Sequence, residues 1–138
     1  MSYFSVNISS VLFFSDVAQP GFCTEFCGWH TYYGSYKYSW VGIPASGCNC
    51  FAQYTSPNGN AAVDAAVSVI AHELMETATD PMINAWYNSD GDENGDACAW
   101  NFVNSIYSSG YYYNLVVNGM KYYVQANYNL GSQTCTMS

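Results

Sequence analysis

Along residues 4–14 the apolar side chains fall on even positions, at Phe4, Val6, Ile8, Leu12 and Phe14, the period of a strand with one buried face. Both faces turn apolar over residues 11–14, so that end is expected inside a sheet, while residues 1–10 are expected to form an edge or to protrude. Residues 21–30 read as a cysteine-bearing loop or short turn, and residues 36–43 as a second strand. A loop punctuated by Pro44, Gly47, Pro57 and Gly59 follows. A helix is predicted over about residues 61–79, because Asn58 or Asn60 can cap its start and Pro81 disfavours helical geometry at Asp80. Val63, Val67, Ile70 and Leu74 make its apolar stripe, and Ala62, Ala65 and Val69 keep the other side small, which predicts a helix buried nearly all round. Residues 84–101 form an acidic loop, and apolar runs at 111–117 and 120–128 flank Asn118 and Gly119, the favoured hairpin turn. The fold class expected is α+β: one domain over residues 1–138, with a twisted mixed or antiparallel sheet packed on one central buried helix and closed by a C-terminal β-hairpin.

Composition narrows the functions this fold can serve. Only 9% of the residues are charged, against 18% aromatic, and the 14 tyrosines must lie partly at the surface. Such a face suits sugars or identical neighbours. The basic side chains are Lys37 and Lys121 and the net charge is −8, which leaves no footprint for a phosphate backbone and excludes nucleic acid as a partner. The longest apolar runs are too short to span a bilayer. Six cysteines in a short acidic chain read as three disulfides and an oxidising, extracellular location. Asn7 heads an acceptor triplet for N-glycosylation, and no signal peptide is visible ahead of it.

The chemistry concentrates on the helix. His72 and Glu76 stand four residues apart and share one face, with Glu73 about 100° round. Seven of the ten carboxylates lie between residues 73 and 96, and both lysines are distant in sequence. Buried carboxylates need protonation, water or a cation. A divalent metal, Zn or Ca, held by His72, Glu76 and a carboxylate of the acidic loop meets that need, with Glu73 placed to polarise a metal-bound water. Glu76 stands where the H-E-x-x-H helix of zinc peptidases has its second His, which hardens the ligand set. The competing account is a polar helix face meeting solvent. Residues 90–95 (DGDENG) match the first half of a calcium loop, but Asn101 occupies the position of its bidentate Glu. His30 could reach the same site, although a satisfied core histidine is the expected role. Cys23, Cys27, Cys48 and Cys50 could form a four-thiolate zinc site, but disulfides crossing from the 23/27 pair to the 48/50 pair, with Cys98 joined to Cys135, are preferred.

Taken together, the run from Gly21 through Cys23 and Cys27 to His30, the YSWVG of residues 38–42 and the VSVIAHEL of residues 67–74 resemble the plant phosphate-induced, or EXORDIUM-like, protein family. Asp80-Pro81, the NAWY of residues 84–87, the spacing Glu93, Asp96, Cys98 and the hairpin at Val117 to Gly119 continue the similarity in order. The resemblance implies an extracellular, cell-wall-associated protein with a zincin-like core and no established catalytic activity. It also implies ligands at His72 and Glu76, with Glu93 as the third and Asp96 in reserve. Three functions are therefore expected in turn: a secreted metal-binding domain without robust catalysis, a self-assembling subunit of an extracellular fibre, and an active metallopeptidase using Glu73. The partners expected are further copies of the chain, as an oligomer or filament, and cell-wall polysaccharide.

Overall fold

Strand β1 (Ile8–Phe14) runs parallel to β3 (Tyr36–Gly42), and β2 (Gly28–Tyr33) runs antiparallel to β3, giving a three-stranded sheet in the order β1-β3-β2. The structure is a computed structural model that describes residues 8–14 and 19–137, so Asn7 and the rest of residues 1–7 lie outside the described residues. Among those described, β1 pairs with β3 alone and lies at the sheet edge, contrary to the central place expected for residues 11–14. The reason is the tight turn at Gly34, whose φ of 59° suits glycine, which folds β2 back onto the far side of β3. Residues 28–30, expected in a loop, are the start of β2.

The predicted helix is α1 (Ala61–Thr79), and Asn60 caps it by accepting a hydrogen bond from the Val63 amide at 3.2 Å. At its other end the Asp80 amide donates to the Glu76 carbonyl, and Asp80 Oδ1 accepts from the amides of Asn84 and Ala85 at 2.6 and 2.8 Å. The chain beyond Pro81 is thereby turned back against the helix end.

The orientation of α1 corrects the sequence reading. Val63 and Leu74, members of the expected apolar stripe, are 45% and 44% exposed, and the helix is not buried all round. Its buried residues are Ala65, Ala66, Ser68, Val69, Glu73, Glu76 and Thr77. Small residues there let α1 approach β2 and β3 closely, around a core of Val41, Ala66 and Val69. Gly28 marks the closest approach. A Cβ at Gly28 would stand 2.7 Å from both Glu73 Oε1 and Val69 Cγ1.

Beyond the helix the described residues form three two-stranded antiparallel sheets. These pair β4 (Ile106–Ser108) with β5 (Tyr111–Tyr113), β6 (Leu115–Val117) with β7 (Met120–Tyr122), and β8 (Asn127–Asn129) with β9 (Thr134–Thr136). The expected hairpin is β6–β7, with positive φ at Asn118 and Gly119 as a type I′ turn requires. It is shorter than the apolar runs, because the Asn114 side chain bonds Val103 and Val124 and ends the ladder. Disulfides join Cys23 to Cys48, Cys27 to Cys50 and Cys98 to Cys135. Among the described residues no helix is long and apolar enough to cross a membrane.

Candidate functional site

Helix α1, strand β2 and the acidic loop meet at one place because each gives up bulk there. Gly28 lets α1 press Glu73 against β2, and the same strand carries His30 inward opposite Ser39. On the other side of Glu76, Gly95 brings the backbone of the acidic loop onto the helix. A Cβ at Gly95 would lie 2.8 Å from both Glu76 Oε1 and His72 Nδ1. The Asp96 amide then donates to Glu76 Oε1 at 3.0 Å, and a 3-10 turn at Asp96–Cys98, bridged from Cys98 to Cys135, holds the loop in place.

The Glu76 carboxylate is the hub. Its Oε1 lies 3.0 Å from His72 Nε2, which is also 3.3 Å from Asp96 Oδ1. Its Oε2 lies 3.4 Å from His30 Nδ1, which is 3.7 Å from Glu73 Oε2. The other His30 nitrogen, Nε2, is 3.1 Å from the Asp80 carbonyl and 3.4 Å from Glu93 Oε1. Glu73 and Glu76 are only 4% and 3% exposed. Glu73 Oε2, Glu93 Oε1 and His72 Nδ1 are buried without a hydrogen-bond partner.

Burial opposes charge on both imidazoles, yet the surrounding acids outweigh it. Glu73 and Glu76, with Glu93 and the Asp80 carbonyl, lift His30 to about 10, and Asp96, Glu76 and Glu73 lift His72 to about 10. Burial alone would also raise Glu76, but the two imidazoles hold it down at about 2. Burial pushes Glu73 up despite His30 and His72, and pushes Glu93 up to about 7 against the pull of His30. Without a metal the cluster therefore balances itself by protonating two histidines and disfavouring charge on two of its acids.

These groups line a cavity of about 450 Å³ whose walls include Phe26, Trp29 and Trp100. Among the described residues, two sets of donors outside the cysteines have the spacing of metal ligands, within 4.8 Å of one another: His30, Glu73, Glu76 and His72, Glu76, Asp96. Their mixed nitrogen and oxygen donors suit zinc, manganese or, less well, calcium. A third group, Cys23, Cys48 and Cys50, is consumed by disulfides, which removes the four-thiolate alternative.

Residues 3–138 match the family described as the phosphate-induced protein 1 conserved region. The chain belongs to that family. It is 37% identical over 92 residues to the Arabidopsis thaliana protein EXORDIUM-like 3, covering 52% of this chain and 27% of that one. It is 32% identical over 126 residues to EXORDIUM-like 5 of the same plant (72% and 33%), and 29% identical over 170 residues to the Nicotiana tabacum protein PHOSPHATE-INDUCED 1 (94% and 53%). The chain thus spans between about a quarter and about half the length of these relatives. No solved structure matches it.

Within this chain, the structure brings His72 and Glu76 together with Asp96, while Glu93 stands beside His30. Glu73 also faces His30. Asp90 and Asp92, the calcium-loop candidates, are exposed, and Asn88 organises their turn by accepting both of their amides and donating to Asp92. His30 is buried as a core histidine would be, but among carboxylates. The signals available for it were its position two residues after Gly28 and the surplus of acids over imidazoles.

Proposed function

We propose that this chain is a secreted domain that binds a divalent cation through His72 Nε2, Glu76 and Asp96, and that it does not turn over substrate robustly. One observation carries the reading: four acids, Glu73, Glu76, Glu93 and Asp96, surround two imidazoles, and oxygens of Glu73 and Glu93 are buried without hydrogen-bond partners. A cation would let all four ionise, where the metal-free cluster has to suppress charge on two of them. Asp96 rather than Glu93 is the favoured third ligand, because it lies 3.3 Å from His72 Nε2, and its side chain, 56% exposed, leaves an approach from solvent. A helix-borne pair completed from a following loop is zincin-like in arrangement. Export is supported by the three disulfides.

Weak or absent turnover follows from two features. Glu76 adds an anionic ligand where a peptidase has a neutral imidazole, which leaves metal-bound water less acidic. Glu73, the candidate base, is enclosed under Gly28 and faces His30. Elemental analysis of protein purified without chelators tests the metal. Bound ion is expected, with one equivalent lost in His72→Ala and in Asp96→Asn, and saturating metal is expected to raise the melting temperature by about 5–10 °C. Metal-free protein whose melting ignores added ions would defeat the proposal.

A further inference from the structure

We infer that His30 Nδ1, Glu73 Oε2 and Glu76 Oε2 form a second divalent-cation position beside the first, with the Glu76 carboxylate shared between the two. Only the sharing of Glu76 rests on the preceding reading. The position itself stands on its own geometry.

The first support is the state of the His30 ring. Its Nε2 lies 3.1 Å from the Asp80 carbonyl, and a carbonyl only accepts, so Nε2 carries hydrogen. Metal-ligating histidines commonly donate their second ring N–H to a backbone carbonyl in this way, which fixes the ring and leaves the other nitrogen to the ion. That other nitrogen, Nδ1, faces the oxygens of Glu76 and Glu73.

The second support is the spacing. A charge-assisted hydrogen bond from an imidazolium to a carboxylate draws the heavy atoms to about 2.7–2.9 Å. Here the separations are 3.4 and 3.7 Å, and Glu73 Oε2 has no hydrogen-bond partner although its residue is only 4% exposed. Donors bound about 2.1 Å from a tetrahedral ion stand about 3.4 Å apart. An imidazole nitrogen held slightly too far from two carboxylate oxygens for strong hydrogen bonds, in a group whose donor atoms all lie within 4.8 Å of one another, has spacing that an ion of that size accepts. An imidazole nitrogen with two carboxylates selects zinc or manganese over calcium.

Glu76 presents different oxygens to the two imidazoles, Oε1 to His72 and Oε2 to His30. A carboxylate used in this way bridges two ions, which in paired sites lie roughly 3.5–4 Å apart. In this arrangement Glu73 is a ligand and not a base.

The test is titration of chelator-treated full chain with Co²⁺, following stoichiometry by calorimetry and ligand-field absorption. Two equivalents are expected. Glu73→Gln, which keeps the side-chain volume, should abolish one of them and spare the other, and His72→Asn should do the reverse. In wild-type protein titrated with Zn²⁺, nitrogen NMR should show His30 Nδ1 shifting as well as His72 Nε2, a readout that needs no variant to fold. A single equivalent that survives Glu73→Gln, a single equivalent lost in both variants, or a His30 Nδ1 signal unmoved by Zn²⁺ would overturn the second position. A single equivalent lost in Glu73→Gln but retained in His72→Asn would uphold it while removing the His72 ligand set. No binding at all would remove both.

Discussion

Replacing Gly95 with alanine perturbs the site through one methyl group. Gly95 has φ −69° and ψ −43°, a conformation any residue adopts, so no backbone strain enters. The added Cβ would lie 2.8 Å from Glu76 Oε1 and His72 Nδ1 and 2.9 Å from His72 Cε1. Neither neighbour is free to retreat: Glu76 is pinned by the Asp96 amide and buried at 3% exposure, and the His72 ring is packed between helix and loop. The loop must therefore lift or the ring must turn. Overpacking of this kind costs about 1–3 kcal/mol, and the alanine recovers about 0.4–1 kcal/mol by restricting the unfolded chain. The metal-free variant should thus lose about 0.5–2 kcal/mol, or roughly 2–7 °C in melting temperature. Because Asp96 and His72 move apart, metal affinity should fall about 10- to 100-fold, the usual effect of disturbing the shell behind metal ligands. Thermal melts and chelator competition measure the two effects separately. A variant that melts as the parent does and binds metal within threefold of it would refute the seating of the loop on His72.

Two further outcomes follow from the charges and the bridges. In metal-free protein, His30 and His72 are lifted from 6.5 to about 10, so their stabilisation is complete below about pH 6.5 and drains away as pH rises through 10. Glu93, raised to about 7, withdraws stability in the same sense between about pH 4.5 and 7, while Glu76, held at about 2, contributes fully above pH 4.5 and is lost only toward pH 2. Melting in chelator should accordingly decline from about pH 6.5 to 10, whereas metal-loaded protein should hold or gain over that range as protons cease to compete; parallel curves would contradict the coupling. Replacing Cys98 and Cys135 with serine opens a loop of separation 37 and should cost about 4 kcal/mol, or about 8–16 °C by calorimetry. A loss under about 1 kcal/mol would mean that the unfolded chain is not restrained by this bridge.

Strong local signals were legible in the sequence. The Asn60 cap, the stop at Asp80-Pro81, the turn at Asn118 and Gly119 and the crossing of the first four cysteines all depend on residues close in sequence, or on a reach that short spacing forbids. Strand β2 was not legible, because GWHTYY has no clean alternation and is placed by its pairing with β3. Which acid of the loop meets His72 was not legible either. Glu93 and Asp96 are three residues apart, and which of them meets His72 depends on the 3-10 turn and the bridge from Cys98 to Cys135, 37 residues away.

The exposure of Val63 and Leu74 on α1, beside buried Glu73 and Glu76, shows how closely site and fold are joined. Hydropathy assigns Val63 and Leu74 to the interior and Glu73 and Glu76 to solvent, and the structure does the opposite. Leaving two aliphatic side chains nearly half exposed forgoes about 0.7–1.4 kcal/mol each, and burying two carboxylates adds desolvation on top. This orientation is stable only if something on the sheet side interacts with those carboxylates more strongly than solvent does. Part of it is visible in His30, delivered by β2, and His72, closed in by Gly95. These leave one oxygen of Glu73 and one of Glu93 without a hydrogen bond, at ion-pair distance from His30 only. A helix that turns its acids inward while two buried acceptors lack hydrogen bonds has room for further positive charge, which divalent cations at Glu76 would provide on the reading proposed above.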